Sequence, residues 1–141
     1  MKYIYEILNE FIAAPTWEEA IAVLRANAGD ATFRLVLQGA FHPGIQYVIK
    51  EIPPYKRSDA PAGLGYTDIN REIQRVYLFV EGSTRVDPNL TLERKSVILA
   101  QMLEAMEPNE ATVFANMIMK DLQIPGLRVE IIREALPGLI P

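Results

Sequence analysis

Ten prolines and eight glycines interrupt this chain so often that no long element fits between them. Proline inside a helix removes a backbone donor and clashes with the preceding turn. A chain punctuated at Pro15, Gly29, Gly39, Pro43, Pro53, Pro54, Gly82, Pro108, Pro125 and Pro137 therefore folds in short segments. Within the segments, apolar residues recur every three or four positions, the period of a half-buried helix.

Ile4, Ile7, Leu8, Phe11 and Ile12 give one stripe from Lys2 to about Ala13. Thr16 and Glu19 form a capping box for a second helix that ends near Gly29. Asp30 caps a third, with Phe33, Val36 and Leu37 on one side. Pro43 suits the first turn of a short fourth helix, Gly44 to Lys50. A Pro/Gly-rich loop at about 52–66 holds no regular structure. Thr67 or Asp68 starts the next helix, which runs through Ile69, Ile73, Val76, Tyr77 and Val80 to about Gly82. Thr91 caps a long helix through Val97, Ile98, Met102 and Leu103. Pro108 breaks it, and Asn109 caps another, with Lys120 near its end. Pro125-Gly126 makes a turn, and a last helix spans Arg128 to Leu136. The apolar runs Phe33–Leu37 and Val76–Val80 sit within helical patterns, so the expectation is an all-α, compact multi-helix fold. The 141 residues amount to one domain.

The chemistry is bounded by what is scarce. With no Cys and one His, thiol catalysis and Cys-ligated or multi-His metal sites are excluded. No phosphate loop, dinucleotide fingerprint or hydrolase elbow occurs. Glu18-Glu19 and Asp59 read as solvated carboxylates, His42 as a turn residue, Trp17 as packing at a helix end, and Met102, Met106, Met117 and Met119 as core filler. No catalytic residue, metal or cofactor is expected. The opening residues carry Lys2, Glu6 and Glu10, which breaks any signal-peptide core, and no run approaches the roughly 20 apolar residues of a membrane span. A cytoplasmic protein without a membrane partner is expected. The net charge of −4 argues against a strongly basic nucleic-acid clamp.

Four segments in order carry a resemblance: Ile7-Leu8-Asn9-Glu10, then Gly44 to Lys50, then Lys120-Asp121-Leu122 with Gly126, and finally Pro137-Gly138-Leu139-Ile140-Pro141. Together they resemble the N-terminal DNA-binding domain of ATP-dependent DNA ligases, closest to the type of T-even-like tailed phages. The resemblance spans essentially the whole chain. It implies an all-helical domain that contacts the backbone of duplex DNA, nicked or intact, without base readout. The residues it points to are Lys50, Lys56, Arg57, Lys120, Gly126 and Arg128.

No Lys here is followed two residues on by Asp-Gly, so the adenylylated-lysine motif of ligases is missing and no ligase activity is expected. The chain reads as a free-standing, non-catalytic phage domain of DNA replication, repair or processing, acting in the cytoplasm of an infected host; an excised piece of a longer ligase is the alternative. Two departures weaken the implied DNA contact. Glu51 stands where a second basic residue is typical, and the turn through Pro125-Gly126 is one residue longer, with one amide donor fewer. The competing reading is therefore a protein-interaction adaptor or inhibitor on the same scaffold, directed at a nucleic-acid enzyme.

Overall fold

The structure is a computed structural model, and it describes residues 2–59 and 66–141. Ala60–Gly65, including Pro61, Gly63 and Gly65 of the Pro/Gly-rich loop, lie outside the described residues.

The helices are α1 (Ile4–Ala13), α2 (Trp17–Ala26), α3 (Ala31–Phe41), α4 (Ile69–Glu72), a 3-10 helix (Ile73–Phe79), α5 (Leu92–Ala105), α6 (Pro108–Ile118) and α7 (Val129–Ala135). The fold is all-α, as the punctuation and periodicity demand. Its caps are mostly the expected ones. Thr16 Oγ1 accepts from the amide of Glu19 at 3.1 Å, Asp30 Oδ1 from Phe33 at 3.1 Å, and Thr91 Oγ1 from Arg94 at 3.1 Å. Of the two candidates before α4, Asp68 is the cap, accepting from Arg71 at 2.9 Å. The Thr67 hydroxyl instead donates to Glu72 Oε1 at 2.9 Å.

α6 lies at the centre. It packs on α1, α3, α4 and α5, while α2 lies between α1 and α7. One continuous apolar core draws on every helix, with Phe33, Phe79, Phe114, Leu99 and Met117 fully enclosed.

Four expectations are corrected. Gly44 to Lys50 is not a helix. Tyr47 pairs antiparallel with Val80, the Val48 amide donates to Phe79 O at 2.8 Å and the Glu81 amide to Gln46 O at 2.7 Å. Long-range backbone pairing and burial of Tyr47 and Ile49 on alternate positions outweigh the helix-start signal of Pro43. The stretch Ile69–Gly82 is not one α-helix either. It tightens to a 3-10 helix after Glu72, and the change of period leaves Val76 and Tyr77 half-buried. α6 is capped by Glu107 rather than Asn109. Pro108 occupies the first helical position, where its missing N–H costs nothing, and the Glu107 carboxylate accepts from the amides of Asn109 and Glu110 at 3.1 and 3.2 Å. Finally, Ile12 and Val97, placed inward by periodicity, are 49% and 44% exposed, and Leu99 takes the buried position on α5.

Candidate nucleic-acid interface

The Lys120-Asp121-Leu122 motif ends α6. Lys120 has φ 60°, the left-handed region that L side chains rarely adopt. The Asp121 amide reaches back to Asn116 O and the Lys120 amide to Met117 O, both at 3.0 Å. This pair of bonds is the Schellman termination, usually built on Gly. Lys stands there because of what its side chain does. Its Nζ donates to the carbonyls of Gly39 (3.3 Å), His42 (2.8 Å) and Ile45 (2.7 Å). These are the end of α3 and the turn after it, where carbonyls have no intrahelical partner. All three ammonium protons are thus engaged inside the protein, and burial lowers the pKa of the group below the ordinary lysine value. A phosphate contact through Lys120 requires giving these bonds up.

Close beside it, the Tyr47 hydroxyl donates to Gly39 O at 2.9 Å and is held protonated by burial. Sequence reasoning missed this residue. Its signal was the alternation Tyr47, Ile49 of a half-buried extended segment.

Lys50 is exposed but paired. Its Nζ lies 2.9 Å from Glu81 Oε1, the residue next to Val80 in the Tyr47–Val80 pairing. Lys56 and Arg57 are exposed, and the side chains of both lack an ion pair among the described residues. The loop that bears them is anchored by the Lys56 amide on Glu104 Oε1 of α5, at 2.9 Å.

Gly126 and Arg128 sit elsewhere, against α2. The Leu127 amide donates to Ile124 O at 3.1 Å, which closes a turn with Pro125 second and Gly126 third at φ +79°. That is a type II turn, whose third position favours Gly. Gly126 has a second constraint: a Cβ there would overlap Cη2 of Trp17 and lie 2.9 Å from its Cζ3. Arg128 follows as the exposed N-cap of α7. The six residues implied by the ligase resemblance therefore fall into three neighbourhoods. Lys50 and Lys120 belong to the segment 42–50 and are engaged there, Lys56 and Arg57 lie beside α5, and Gly126 and Arg128 lie beside α2.

A second polar cluster escaped the sequence reading. Glu72, Glu107 and Glu110 are all buried. Glu110 Oε2 accepts from the Ile69 amide at 3.2 Å, while its Oε1 is buried with no hydrogen-bond partner among the described residues. Burial raises the Glu110 pKa, and the neighbouring Asp68 and Glu107 raise it further, against a lowering by the Ile69 amide. The available signal was Pro108, since a Pro at the first helical position marks the residue before it as the cap. Among the described residues, no group of three or more His, Cys, Asp or Glu is placed to hold a metal ion. None of their helices is long and apolar enough to cross a membrane.

Comparison with known proteins adds a family and a fold. Residues 7–124 match DUF6433, described as a family of unknown function. The chain belongs to the DUF6433 family. No curated protein matches this DUF6433 chain. A solved structure entitled Pmar-Lig_PreS3, a ligase-related chain, is similar over 96% of this chain at a TM-score of 0.73 and 14% identity. This chain spans 29% of that chain's length. At such identity the likeness is one of fold.

Proposed function

We propose that this DUF6433 chain is a non-catalytic module that binds the sugar-phosphate backbone of duplex DNA, nicked or intact, and serves phage DNA replication, repair or processing. The observation that carries this reading is the fold likeness of 96% of the chain to part of a ligase-related one. That chain is far longer, and the missing Lys-x-Asp-Gly motif fits a module without the nucleotidyl-transfer step. Among the described residues, Lys56, Arg57 and Arg128 are the cations at the implied positions whose exposed side chains make no ion pair, and they carry the contact. Lys120 supports it only by ordering the segment 42–45.

Fluorescence anisotropy with labelled nicked duplex, titrated across ionic strength, tests this. Three phosphate contacts give a log–log salt slope of roughly −3, and each of Lys56→Ala, Arg57→Ala and Arg128→Ala reduces it by about 1. Absence of binding at low salt refutes the proposal.

A second reading is favoured by a specific observation. Lys50 and Lys120 direct their charge to Glu81 and to main-chain carbonyls, in a chain already at −4. Such a surface suits an adaptor or inhibitor that binds a protein of nucleic-acid metabolism. Recovery of one stoichiometric partner, unaffected by nuclease, supports that reading over duplex binding.

A further inference from the structure

A small cavity lies between α1, α4 and α6. Lys2, Tyr3 and Ile4, then Ile69 and Asn70, and finally Glu110 line a space of about 90 Å³, room for roughly three waters. Ile4 and Ile69 are buried and make its apolar walls. The Tyr3 ring stacks on Tyr5 with centroids 5.6 Å apart, which fixes its orientation. Glu110 is only 3% exposed. Its Oε2 accepts from the Ile69 amide at 3.2 Å, and its Oε1 is, among the described residues, the buried side-chain acceptor left without a partner. Asn70 Oδ1 is already taken, because the Thr32 hydroxyl donates to it.

A buried carboxylate oxygen without a donor costs free energy that a proton or a cation removes. Burial raises the Glu110 pKa, and the negative charges of Asp68 and Glu107 raise it further, so negative potential converges on this carboxyl. Lys2 is the one cation of the lining. Its Nζ lies 2.8 Å from both carboxylate oxygens of Glu10, and its charge is balanced there. A divalent ion does not fit, since hard cations gather about six oxygens and this lining supplies one carboxylate. A guanidinium fork matches two free oxygens side by side, and here one already serves the Ile69 amide. A primary ammonium is a compact point charge that a single oxygen can take. An alkyl stem suits the Ile4 and Ile69 walls, and a tyrosine ring adds a face that attracts cations.

We propose that this cavity binds a primary ammonium on a short alkyl stem, held by the Glu110 carboxylate with the stem against Ile4 and Ile69. A free alkylamine and a lysine side chain of another molecule present this same group. The site goes beyond the function proposed above and is independent of whether the chain binds duplex or protein. The ammonium donates to the oxygen that the Ile69 amide leaves free. Because the lining comes from α4, α6 and the start of α1, a bound ammonium ties the three together.

The full chain, with isotope-labelled isoleucine methyl groups, is titrated by NMR with n-butylammonium chloride, against sodium chloride of equal ionic strength. The expected result is a saturable shift of the Ile4 and Ile69 methyl signals, with the isoleucines that do not line the cavity as internal controls. n-Butanol, of similar shape without the charge, gives no such shift. Glu110→Gln, which keeps an acceptor for the Ile69 amide, weakens binding roughly tenfold. Tyr3→Leu leaves the buried acid in place and weakens binding about threefold. If Glu110→Gln fails to fold by circular dichroism, the Tyr3→Leu and butanol results decide. Nα-acetyl-lysine amide separates the sources: a shift like that of butylammonium admits a lysine side chain, and none confines the site to free amines. The proposal is overturned by no saturable shift, by equal shifts with butanol, sodium chloride or guanidinium chloride, or by unchanged butylammonium binding in folded Glu110→Gln.

Discussion

Gly126 is constrained twice, and the two constraints can be measured apart. Its φ of +79° costs an L residue roughly 1–2 kcal/mol. Independently, a Cβ there overlaps the Trp17 ring, and overpacking of this kind costs about 1–3 kcal/mol. The ring is half-exposed, which places the steric part at the low end, near 1 kcal/mol. Gly126→Ala is therefore expected to destabilise by about 2–3 kcal/mol in total. In a Trp17→Ala background the ring is gone and only the backbone part remains, about 1–2 kcal/mol. The double-mutant cycle thus yields a coupling of about 1 kcal/mol, the penalty that the indole ring imposes on the added methyl group. Urea unfolding followed by far-UV circular dichroism is the suitable assay, because emission from the sole Trp vanishes in half the cycle. Equal cost in both backgrounds refutes the steric argument. A Gly126→Ala cost below about 0.5 kcal/mol refutes the turn argument as well.

Lys120→Met keeps the stem and the left-handed backbone but removes three donors, so a loss of about 1.5–3 kcal/mol is expected, seen as a melting temperature lowered by roughly 5–10 °C. An unchanged melting temperature with weakened duplex binding would show that Lys120 is a contact residue instead. Lys120→Gly relieves the backbone strain and is expected to lose less than Lys120→Met. Gly39→Ala gains about 1 kcal/mol of helix propensity in isolation, yet its Cβ would lie 2.7 Å from Met117 Sδ and 2.8 Å from Tyr47 Oη; net destabilisation in urea unfolding is expected. Glu110 has a folded pKa above its unfolded value, so stability is lost as pH rises through the folded pKa. Glu110→Gln is accordingly expected to be the more stable protein at neutral pH, with the advantage vanishing below the ordinary carboxylate pKa of ~4.3; urea midpoints at the two pH values check it.

The parts of the fold legible in the sequence are those set by local chemistry. Thr16, Asp30, Asp68 and Thr91 cap helices because a short side-chain oxygen reaches an amide three residues on, whatever the rest of the chain does. The misreadings share a different cause. Gly44–Lys50 carries a helix-start signal, but its backbone bonds go to Phe79 and Gln46 pairs with Glu81, partners more than thirty residues away. Ile12 and Val97 fit an apolar stripe, yet among the described residues no element covers them. Periodicity tells which residues can face a core and not whether a neighbour arrives.

The same distinction governs the candidate site. Lys50 and Lys120 are cations at positions that a ligase-like domain points to, and composition counts each as a full positive charge. The fold assigns one to Glu81 and the other to three carbonyls at the end of α3. A lysine that terminates its own helix and closes the end of another serves two elements at once, which explains why it occupies a backbone angle suited to Gly. The motif Lys120-Asp121-Leu122 is then a folding signal first: Lys120 sets the termination, Asp121 closes the longer bond, and Leu122 is buried. Among the described residues, Lys56, Arg57 and Arg128 are the cations of the implied set that no ion pair occupies, and they are what remains to choose between a duplex and a protein.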